Sequence, residues 1–332
     1  MIEKVFVIGA GGWGTALALV LNERGVDVTL WGNDAQYVTE MAGTRRNPRY
    51  LPGVEIPRRV RITQELQACT SCSTVFSVVP SQFLRATLER FRPHVQSVRL
   101  VVSATKGIEH PTLKRPSEII AEVFGSVSVV VVSGPSHAEE VARRMPTTVV
   151  SASRDSGRAL YIQDLLHTER FRVYTNSDPI GVEMGGALKN VVSIAGGIVD
   201  GLGFGDNTKA ALLTRGMVEM VRLGVALGGA RETFFGLAGI GDLITSCCSR
   251  HGRNRAVGER IGRGEELRDI LASMMQVAEG VGTSDAVHKL SQKLGIEMPI
   301  CAEVYRVLHE NKDPSTAVRD LMTRQLKEEN EW

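Results

Sequence analysis

The first half of the chain alternates short apolar runs with segments in which apolar residues recur at helical spacing. The runs are nearly continuous in apolar residues, which is typical of parallel strands that are covered on both faces. One helical segment, residues 15–25, ends at a glycine, as helices commonly do. The alternation predicts a doubly wound α/β domain. The predicted strands are residues 4–9, 27–32, 73–80, 98–105, 127–134 and 146–153.

The pattern changes near residue 180. From Val182 onward no segment has a strand pattern, whereas apolar residues recur at helical spacing over long stretches. We therefore expect an α/β domain over residues 1–181 and an all-α domain over residues 182–332. The clearest predicted helices of the second domain are residues 208–228, 268–278 and 282–295.

A single lysine lies in the first predicted helix of the second domain, within the apolar segment GVEMGGALKNVVSIAGGIVDGLG. Lysine is seldom buried without a partner, so an exposed helix face is the ordinary interpretation of Lys189. On a helix, Gly185, Ser193 and Gly196 lie on or near the same face. Because these residues are small, we expect a ligand or the other domain to come close to Lys189.

A glycine-rich loop follows the first predicted strand and opens the first predicted helix. Gly9, Gly11 and Gly14 have the GxGxxG spacing, and this context makes the motif specific for a dinucleotide. Gly9 allows the tight turn, Gly11 leaves room for a pyrophosphate, and Gly14 lets the helix pack closely on the strand. The start of the helix offers free N–H groups to the phosphates. The sequence therefore predicts an NAD or NADP site here.

The end of the second strand bears on which dinucleotide binds. NAD-selective sites usually carry an acid there that bonds the ribose 2′-hydroxyl. This chain has Gly32 and Asn33 at that place, and Asp34 comes one or two positions late. NADP is therefore allowed, and use of both dinucleotides is expected. Arg45 and Arg46 are candidates for a 2′-phosphate contact and equally for solvated surface charges.

Composition narrows the functional classes. The 332 residues are 43% hydrophobic and carry a formal net charge of +2, which argues against a protein built chiefly to hold nucleic acid. No apolar run approaches the roughly 18–20 residues of a membrane span, and the N-terminus lacks a signal-peptide pattern. The CxxC of Cys69 and Cys72 has no second ligand pair at zinc spacing. We expect a cytoplasmic protein without a metal site.

Several polar residues stand where ligands bind in such folds. Some directly follow predicted strands, at the sheet edge where open α/β sheets bind ligands. Others precede a predicted helix, where an arginine and the helix N–H groups can hold phosphate oxygens. Each residue alone has an ordinary interpretation as a loop lysine, a helix cap or a surface charge. The candidates are Lys106, Gly134, Ser136, Asp242, Arg253 and Asn254.

Together these stretches resemble the bacterial NAD(P)-dependent sn-glycerol-3-phosphate dehydrogenase family over essentially the whole chain. The resemblance rests on GAGGWGTALA, SATKGIE, SGPSHAEEVA, GALKNVVSIAGGIVDGLGFGDNTKAAL, GLAGIGDL, GRNRAVG and VAEGV, in this order. It implies a Rossmann domain followed by a helical domain. It also implies the interconversion of dihydroxyacetone phosphate and sn-glycerol 3-phosphate, which feeds phospholipid synthesis in the cytoplasm. We further expect a homodimer.

The resemblance also assigns roles to residues. It makes Lys189 the proton acceptor in the oxidation direction, and Lys106 a contact of both substrate and cofactor. Arg253 would reach both ligands as well. Substrate contacts are implied for Lys106, Gly134, Ser136, Lys189, Asp242, Gly252, Arg253 and Asn254. Cofactor contacts are implied for Gly9, Gly11, Gly12, Trp13, Gly14, Asn33, Tyr50, Lys106, Ala138, Arg253, Val277 and Glu279.

Two positions depart from the family pattern. The family usually has a serine where this chain has Gly12, and again where it has Gly252. Both positions lose a hydroxyl but keep a backbone N–H that can donate. We therefore expect both sites to persist, without a hydrogen bond from a serine side chain.

The proposed chemistry explains why a lysine would be placed in an apolar helix. A hydride delivered to a ketone leaves charge on its oxygen, and a lysine can supply the proton and take it back. An unperturbed lysine, with a pKa of about 10.4, is a poor base near neutrality. Desolvation or a second cation lowers the pKa, and Asp242 opposes that shift. Lys106 is the cation that we expect nearby.

Three other functions remain open at this point. A related reductase acting on a 3-hydroxy acid such as 6-phosphogluconate has the same architecture. A dinucleotide sensor without turnover would use Lys189 only structurally. A nucleic-acid role would rest on Arg250, Arg253, Arg255 and Arg260, but the low net charge and the lack of interleaved aromatic residues oppose it.

Overall fold

The computed structural model describes residues 3–326, 328 and 329. This part of the chain forms two compact units. The sheet unit consists of the residues up to 106 together with 114–179, and the helical unit consists of 107–113 together with the residues from 180 onward. The division into two domains between residues 181 and 182 stays a prediction. The outermost ends of both predicted domains lie outside the described residues.

The sheet unit contains an eight-stranded sheet and a separate two-stranded hairpin of β3 and β4. In chain order the strands are β1 (Lys4–Ile8), β2 (Asp27–Trp31), β3 (Arg46–Asn47), β4 (Leu51–Glu55), β5 (Arg61–Thr63), β6 (Thr74–Ser77), β7 (Leu100–Ser103), β8 (Ser128–Ser133), β9 (Thr147–Ala152) and β10 (Phe171–Asn176).

The large sheet has the strand order β10-β9-β8-β7-β6-β1-β2-β5. The six predicted strands are all present, and the pairs from β5 through β8 are parallel. The expectation of a wholly parallel sheet is wrong at one pair, because β8 and β9 are antiparallel. Strand β10 and the short strands β3, β4 and β5 were not predicted. All four are short or only partly buried, so they lack the continuous apolar run of a central strand.

Helices cover both faces of the sheet. In β1, Val5 and Val7 face one core while Phe6 and Ile8 face the other, as the two-residue period of a strand requires. This two-faced packing confirms the predicted doubly wound α/β domain. The helices of the sheet unit are α1 (Gly12–Glu23), α2 (Ala35–Thr44), α3 (Ser81–Phe91), α4 (Pro116–Phe124), α5 (Ala138–Ala142) and α6 (Ser156–Leu166).

The described residues of the helical unit contain helices and no strand, as predicted. Its apolar core gathers side chains from most of these helices. The helices are α7 (Pro179–Gly201), α8 (Asp206–Ala226), α9 (Arg231–Phe234), α10 (Asp242–Cys248), α11 (Arg253–Gly262), α12 (Leu267–Ser273), α13 (Glu279–Leu294), α14 (Pro299–His309) and α15 (Pro314–Met322).

Helix α7 is the central element of the helical unit. Its length and mean hydropathy of 1.2 would suit a membrane span by composition alone. The whole apolar window of α7 is buried, however, so its apolar surface packs the core of the unit. Lys189 lies near the middle of this buried helix.

Helices α7 and α11 cross in backbone contact. A Cβ added at Gly197 would lie 2.0 Å from the carbonyl oxygen of Arg255, and one added at Gly258 would lie 2.0 Å from that of Ile194. No side chain fits at either position. The small residues of α7 therefore bring the start of α11 close to the middle of α7.

A buried carboxylate joins two other helices of this unit. Glu219 of α8 accepts hydrogen bonds from the backbone N–H groups of Ile300 and Cys301, at 2.6 and 3.0 Å. It thereby satisfies donors at the start of α14 that the helix itself leaves open. Burial raises the pKa of Glu219 to about 7, against the N–H groups that lower it.

The Glu219→Gln substitution tests this buried acid. Because the folded pKa lies above the unfolded value, the stabilising contribution is complete below pH 4.5 and is lost as the pH rises through about 7. The amide keeps only one of the two acceptor oxygens, so the variant should be less stable than the wild type at pH 5. That deficit should shrink by on the order of 2–3 kcal/mol between pH 5 and pH 8, because only the wild type loses stability over this range. Urea unfolding followed by circular dichroism measures both values. Parallel changes in the wild type, the variant and the exposed control Glu232→Gln would contradict the assignment.

Candidate functional site

The glycine loop has the geometry that the motif predicts. Gly9 has a φ of +118°, and a Cβ there would lie 2.7 Å from the carbonyl oxygen of Val78. A Cβ at Gly14 would lie 1.8 Å from the carbonyl oxygen of Gly9, so the helix touches the turn. A Cβ at Gly11 would meet no atom within 4 Å. The fold therefore explains Gly9 and Gly14, and the open space at Gly11 fits a phosphate group of a ligand.

A buried asparagine fixes the loop to the neighbouring hairpin. The Asn47 amide donates to the carbonyl oxygen of Ala10 at 3.0 Å and to the Thr15 hydroxyl at 2.8 Å. Its own oxygen accepts from the Tyr37 hydroxyl at 2.7 Å and from the Tyr50 backbone at 3.2 Å. Asn47 was not predicted, because it lies in the short strand β3, outside any motif.

Three of the predicted cofactor residues meet at the start of α1. A Cβ on Gly12 would lie 2.7 Å from the carbonyl oxygen of Tyr50 and 3.5 Å from the Cβ of Ala138. The glycine in place of the usual serine thus lets the Tyr50 backbone approach the helix start. Beside it, Trp13 Nε1 is buried and has no hydrogen-bond partner among the described residues. An open phosphate space and an unpaired donor are what a dinucleotide site requires.

The end of β2 is crowded and holds a paired acid. A Cβ on Gly32 would lie 2.6 Å from Val38 Cγ2, so no side chain fits at this position. Asp34 caps α2 by accepting from the Tyr37 N–H at 2.9 Å, and this bond holds its pKa below the usual value. Asp34 therefore serves the fold as a helix cap. The neighbouring Asn33 accepts a hydrogen bond from Arg90 of α3.

Arg45, one of two arginines considered for a 2′-phosphate, is used inside the fold. Its guanidinium donates to the carbonyl oxygens of Ile56, Pro57 and Val60. These bonds hold the chain after the β3–β4 hairpin.

The structure brings together three of the predicted substrate residues in the sheet unit. Lys106 Nζ donates to the carbonyl oxygen of Gly134 at 3.0 Å, and Ser136 Oγ donates to the same oxygen at 2.9 Å. Gly134 has a φ of +137°, and a Cβ there would lie 3.0 Å from Val149 Cα. Lys106 and Ser136 follow β7 and β8, so they lie at the carboxyl edge of the sheet, as predicted.

Lys189 is buried and ion-paired. Its Nζ lies 3.1 Å from Asp242 Oδ1 and 2.5 Å from Ser246 Oγ. The two charged side chains are only 9% and 3% exposed. The expectation that Asp242 stands near Lys189 is met, and the ordinary interpretation of an exposed lysine is wrong. Ser246 was missed, although its i,i+4 spacing from Asp242 on α10 places both on one helix face.

The small residues around Lys189 pack against a neighbouring segment of the same unit. A Cβ on Gly185 would lie 2.5 Å from the carbonyl oxygen of Ala238, and Gly196 faces Cys247. Ser193 donates to the carbonyl oxygen of Lys189 at 2.7 Å. This side of α7 is therefore packed by residues 238–247 of the same unit. The expected approach of a ligand or of the other domain to Lys189 stays a prediction.

The close crossing of α7 and α11 brings the predicted substrate residue Asn254 into contact with Asn190, the neighbour of Lys189. Asn254 Nδ2 donates to Asn190 Oδ1, and Asn254 Oδ1 accepts from the Gly280 N–H, both at 2.9 Å. Gly280 directly follows Glu279, so Asn254 ties the start of α13 to α7. Asn190 was not predicted as a site residue, although it directly follows Lys189 in the sequence.

Arg253 and Gly252 lie at the start of α11. Arg253 Nη1 donates to Gln276 at 3.0 Å, next to the predicted cofactor residue Val277. A Cβ on Gly252, the second departure from the family pattern, would lie 2.5 Å from the carbonyl oxygen of Ser246. The missing side chain thus lets the start of α11 touch the helix that supports Lys189.

The cysteines do not form a metal centre in the described part of the chain, where no group of three or more histidine, cysteine or acidic residues could hold an ion. Burial raises the pKa of the Cys69 and Cys247 thiols to about 11 in each case. Such thiols are weak nucleophiles and weak metal ligands at neutral pH.

The chain matches two family models in tandem. The NAD-dependent glycerol-3-phosphate dehydrogenase N-terminus matches residues 4–159, and the corresponding C-terminus matches residues 178–319. A glycerol-3-phosphate dehydrogenase (NAD(P)+) of Chlorobium phaeobacteroides (strain BS1) is 50% identical over 330 residues, covering 98% of this chain and 99% of its own. One of Citrifermentans bemidjiense is 49% identical, with 99% of each chain covered.

A solved structure is similar as well. The crystal structure of a glycerol-3-phosphate dehydrogenase from Coxiella burnetii superposes with a TM-score of 0.94 at 41% identity. The match covers 97% of this chain and 99% of that one. The similarity therefore extends over both units of the chain.

The Gly11→Ala substitution tests whether Gly11 is needed for ligand binding or for the stability of the fold. Because a Cβ at Gly11 meets no protein atom, the melting temperature should stay within about 2 °C of the wild type. Binding of a dinucleotide should weaken more than tenfold, since the methyl group occupies the space for the pyrophosphate. Gly14→Ala is the control, and it should lower the melting temperature instead. Unchanged NADPH binding by Gly11→Ala, measured by fluorescence titration, would contradict this assignment.

Proposed function

The chain belongs to the NAD-dependent glycerol-3-phosphate dehydrogenase family, and we propose that it interconverts dihydroxyacetone phosphate and sn-glycerol 3-phosphate with NADH or NADPH. The observation that carries this proposal is the buried pair of Lys189 and Asp242. A buried ion pair contributes little to stability on balance, so a chemical role is the better reason for its presence.

Lys189 is the residue to which we assign proton transfer. In the reducing direction a bound nicotinamide would supply a hydride to C2 of the ketone, which would leave negative charge on the C2 oxygen. Lys189 Nζ donates a proton to that oxygen and takes it back during oxidation. Asp242 and Ser246 hold the Nζ atom in place, which fixes the direction of transfer. Asp242 also balances the ammonium charge in its buried surroundings.

The substrate phosphate is assigned to the start of α11. Arg253 offers a guanidinium that can hold two phosphate oxygens, and the first N–H groups of α11 add further donors. Gly252 is the N-cap residue of α11 and, having no side chain, caps none of these donors. Asn254 is fixed by Asn190 and Gly280, so this end of the helix is rigid.

The remaining residues are assigned to the substrate or to the cofactor by the contacts that they make in the fold and by the resemblance of the chain to its family. Lys106, Gly134 and Ser136 form one hydrogen-bonded group and are assigned to the substrate, with Lys106 also touching the cofactor. The glycine loop and the start of α1 are assigned to the pyrophosphate. Cofactor contacts are further proposed for Gly9, Gly11, Gly12, Trp13, Gly14, Asn33, Tyr50, Ala138, Arg253, Val277 and Glu279.

In the cell we propose that the enzyme acts in the cytoplasm and supplies glycerol phosphate for phospholipid synthesis. A homodimer is proposed as its functional form. Both proposals are supported by the resemblance of the chain to its family.

Sedimentation velocity tests the dimer. The chain mass is 36.1 kDa, and a homodimer has twice that mass. A single species of the doubled mass at micromolar protein is the expected result. A species of the chain mass throughout that concentration range would contradict the proposal.

The reaction itself is tested by mixing the protein with dihydroxyacetone phosphate and following the loss of reduced-nicotinamide absorbance, with NADPH and NADH in parallel. The wild type should turn over dihydroxyacetone phosphate and leave 6-phosphogluconate unchanged with the oxidised cofactors. Lys189→Met should lose at least about a thousandfold in turnover, because it removes the proton donor while the sheet unit still binds NADPH. Lys209→Met is the matched control, since Lys209 also pairs with an acid, Asp200, at 2.7 Å.

Two results would contradict the proposed function. One is near-normal turnover by Lys189→Met. The other is wild-type protein that binds the dinucleotides and reduces no dihydroxyacetone phosphate.

A further inference from the structure

An arginine reaches the end of β2 from a different element of the sheet unit. Arg90 lies in the last turn of α3, and its guanidinium donates to the side-chain oxygen of Asn33. Asn33 stands two residues after the last residue of β2, where dinucleotide sites decide between a ribose hydroxyl and a 2′-phosphate. A fixed positive charge is therefore present at the position that selects the cofactor.

The guanidinium of Arg90 is held in place by an aromatic platform. It lies 5.4 Å from the ring centroid of Trp31, within the range of a cation–π contact. Trp31 is buried, and its Nε1 donates to the carbonyl oxygen of Gln64 at 2.9 Å. The indole also packs edge-to-face on Phe91, with centroids 4.9 Å apart. The indole therefore cannot turn away, and Arg90 is oriented before any ligand arrives.

The nearest acid after β2, the N-cap residue of α2, does not cancel this charge. Asp34 is occupied by the N–H of Tyr37 and by Arg49, whose Nη1 lies 3.3 Å from Asp34 Oδ2. The Arg49 guanidinium in turn lies 4.2 Å from the ring centroid of Tyr37. The negative charge that would repel a phosphate is thus paired with a cation. Two arginines and one acid leave the end of β2 with a local excess of positive charge.

We propose that Arg90, supported by Trp31 and Asn33, binds the 2′-phosphate of NADPH and makes the chain select NADPH over NADH. A guanidinium can bind phosphate oxygens through paired N–H donors, and Arg90 has five such donors. Asn33 adds an amide at the same place. This inference rests on the proposed function only for the dinucleotide site and not for the substrate.

Binding of two cofactor fragments tests the inference without turnover. Adenosine 2′,5′-bisphosphate carries the 2′-phosphate and AMP lacks it, so calorimetric titration of both isolates the contribution of that group. The wild type should bind the bisphosphate at least about tenfold more tightly than AMP, the effect expected of one charge-assisted hydrogen bond. Arg90→Ala should lose that advantage and bind AMP as the wild type does. Arg90→Lys, which keeps the charge, should retain part of it.

Matched controls separate the 2′-phosphate contact from a general effect of charge. Arg85→Ala removes an arginine from the same helix that pairs with Glu122 at 2.9 Å, and it should leave both affinities unchanged. Asp34→Asn keeps a capping side chain but removes the acid, and it should tighten binding of the bisphosphate alone. The steady-state preference for NADPH over NADH should fall in Arg90→Ala by the same factor as the bisphosphate affinity.

The inference is overturned if Arg90→Ala binds both fragments as the wild type does, or if the wild type binds AMP as tightly as the bisphosphate. Protein that binds neither fragment nor either dinucleotide would overturn the cofactor site itself. Turnover of dihydroxyacetone phosphate with NADH alone would overturn the selection of NADPH while leaving the reaction intact.

Discussion

The helical unit is organised around one costly interaction, the buried ion pair of Lys189 and Asp242. Taking two charges out of water costs several kcal/mol for each, and their mutual attraction returns this only with close contact and further hydrogen bonds. The contact to Ser246 supplies one such bond. The rest of the unit supplies the burial, because α7 is enclosed along its apolar length. The fold thus accepts an expensive pair and keeps it in one orientation.

Close backbone packing makes that orientation possible. At Gly185 the carbonyl oxygen of Ala238 occupies the space of a side chain, which brings the turn before α10 against α7. At Gly197 and Gly258 the backbones of α7 and α11 touch, which places Asn254 beside Asn190. Protein interiors tolerate little void or overlap, so even a methyl group at these glycines would shift the helices. The small residues thereby set the positions of the charged ones.

The sequence was enough to predict the architecture but not its exceptions. Continuous apolar runs predicted the central strands because burial on both faces removes polar positions. The direction of β9 could not be predicted, since the side-chain period of a strand is the same in both directions. The edge strand β10 has an alternating burial pattern in place of a continuous apolar run. Its short, half-polar sequence therefore escaped notice.

The candidate site likewise contains residues that the sequence predicts and residues that it does not. The glycine loop and the segment around Lys189 have sequence patterns with a physical reason, and the geometry at Gly9 and Gly14 agrees with that reason. Asn47, Ser246 and Arg90 have no such pattern. They act through contacts between residues that are distant in sequence, such as Asn47 with Ala10 and Arg90 with Asn33. Only folding brings these pairs together.

A double-mutant cycle on Lys189 and Asp242, measured by chemical unfolding, tests the central claim most directly. If the pair is kept for chemistry, each of Lys189→Met and Asp242→Leu should destabilise the protein by about 3–5 kcal/mol, since each leaves one buried charge unpaired. The double variant should regain most of that stability and remain inactive. Single variants as stable as the wild type, or an active double variant, would contradict the account.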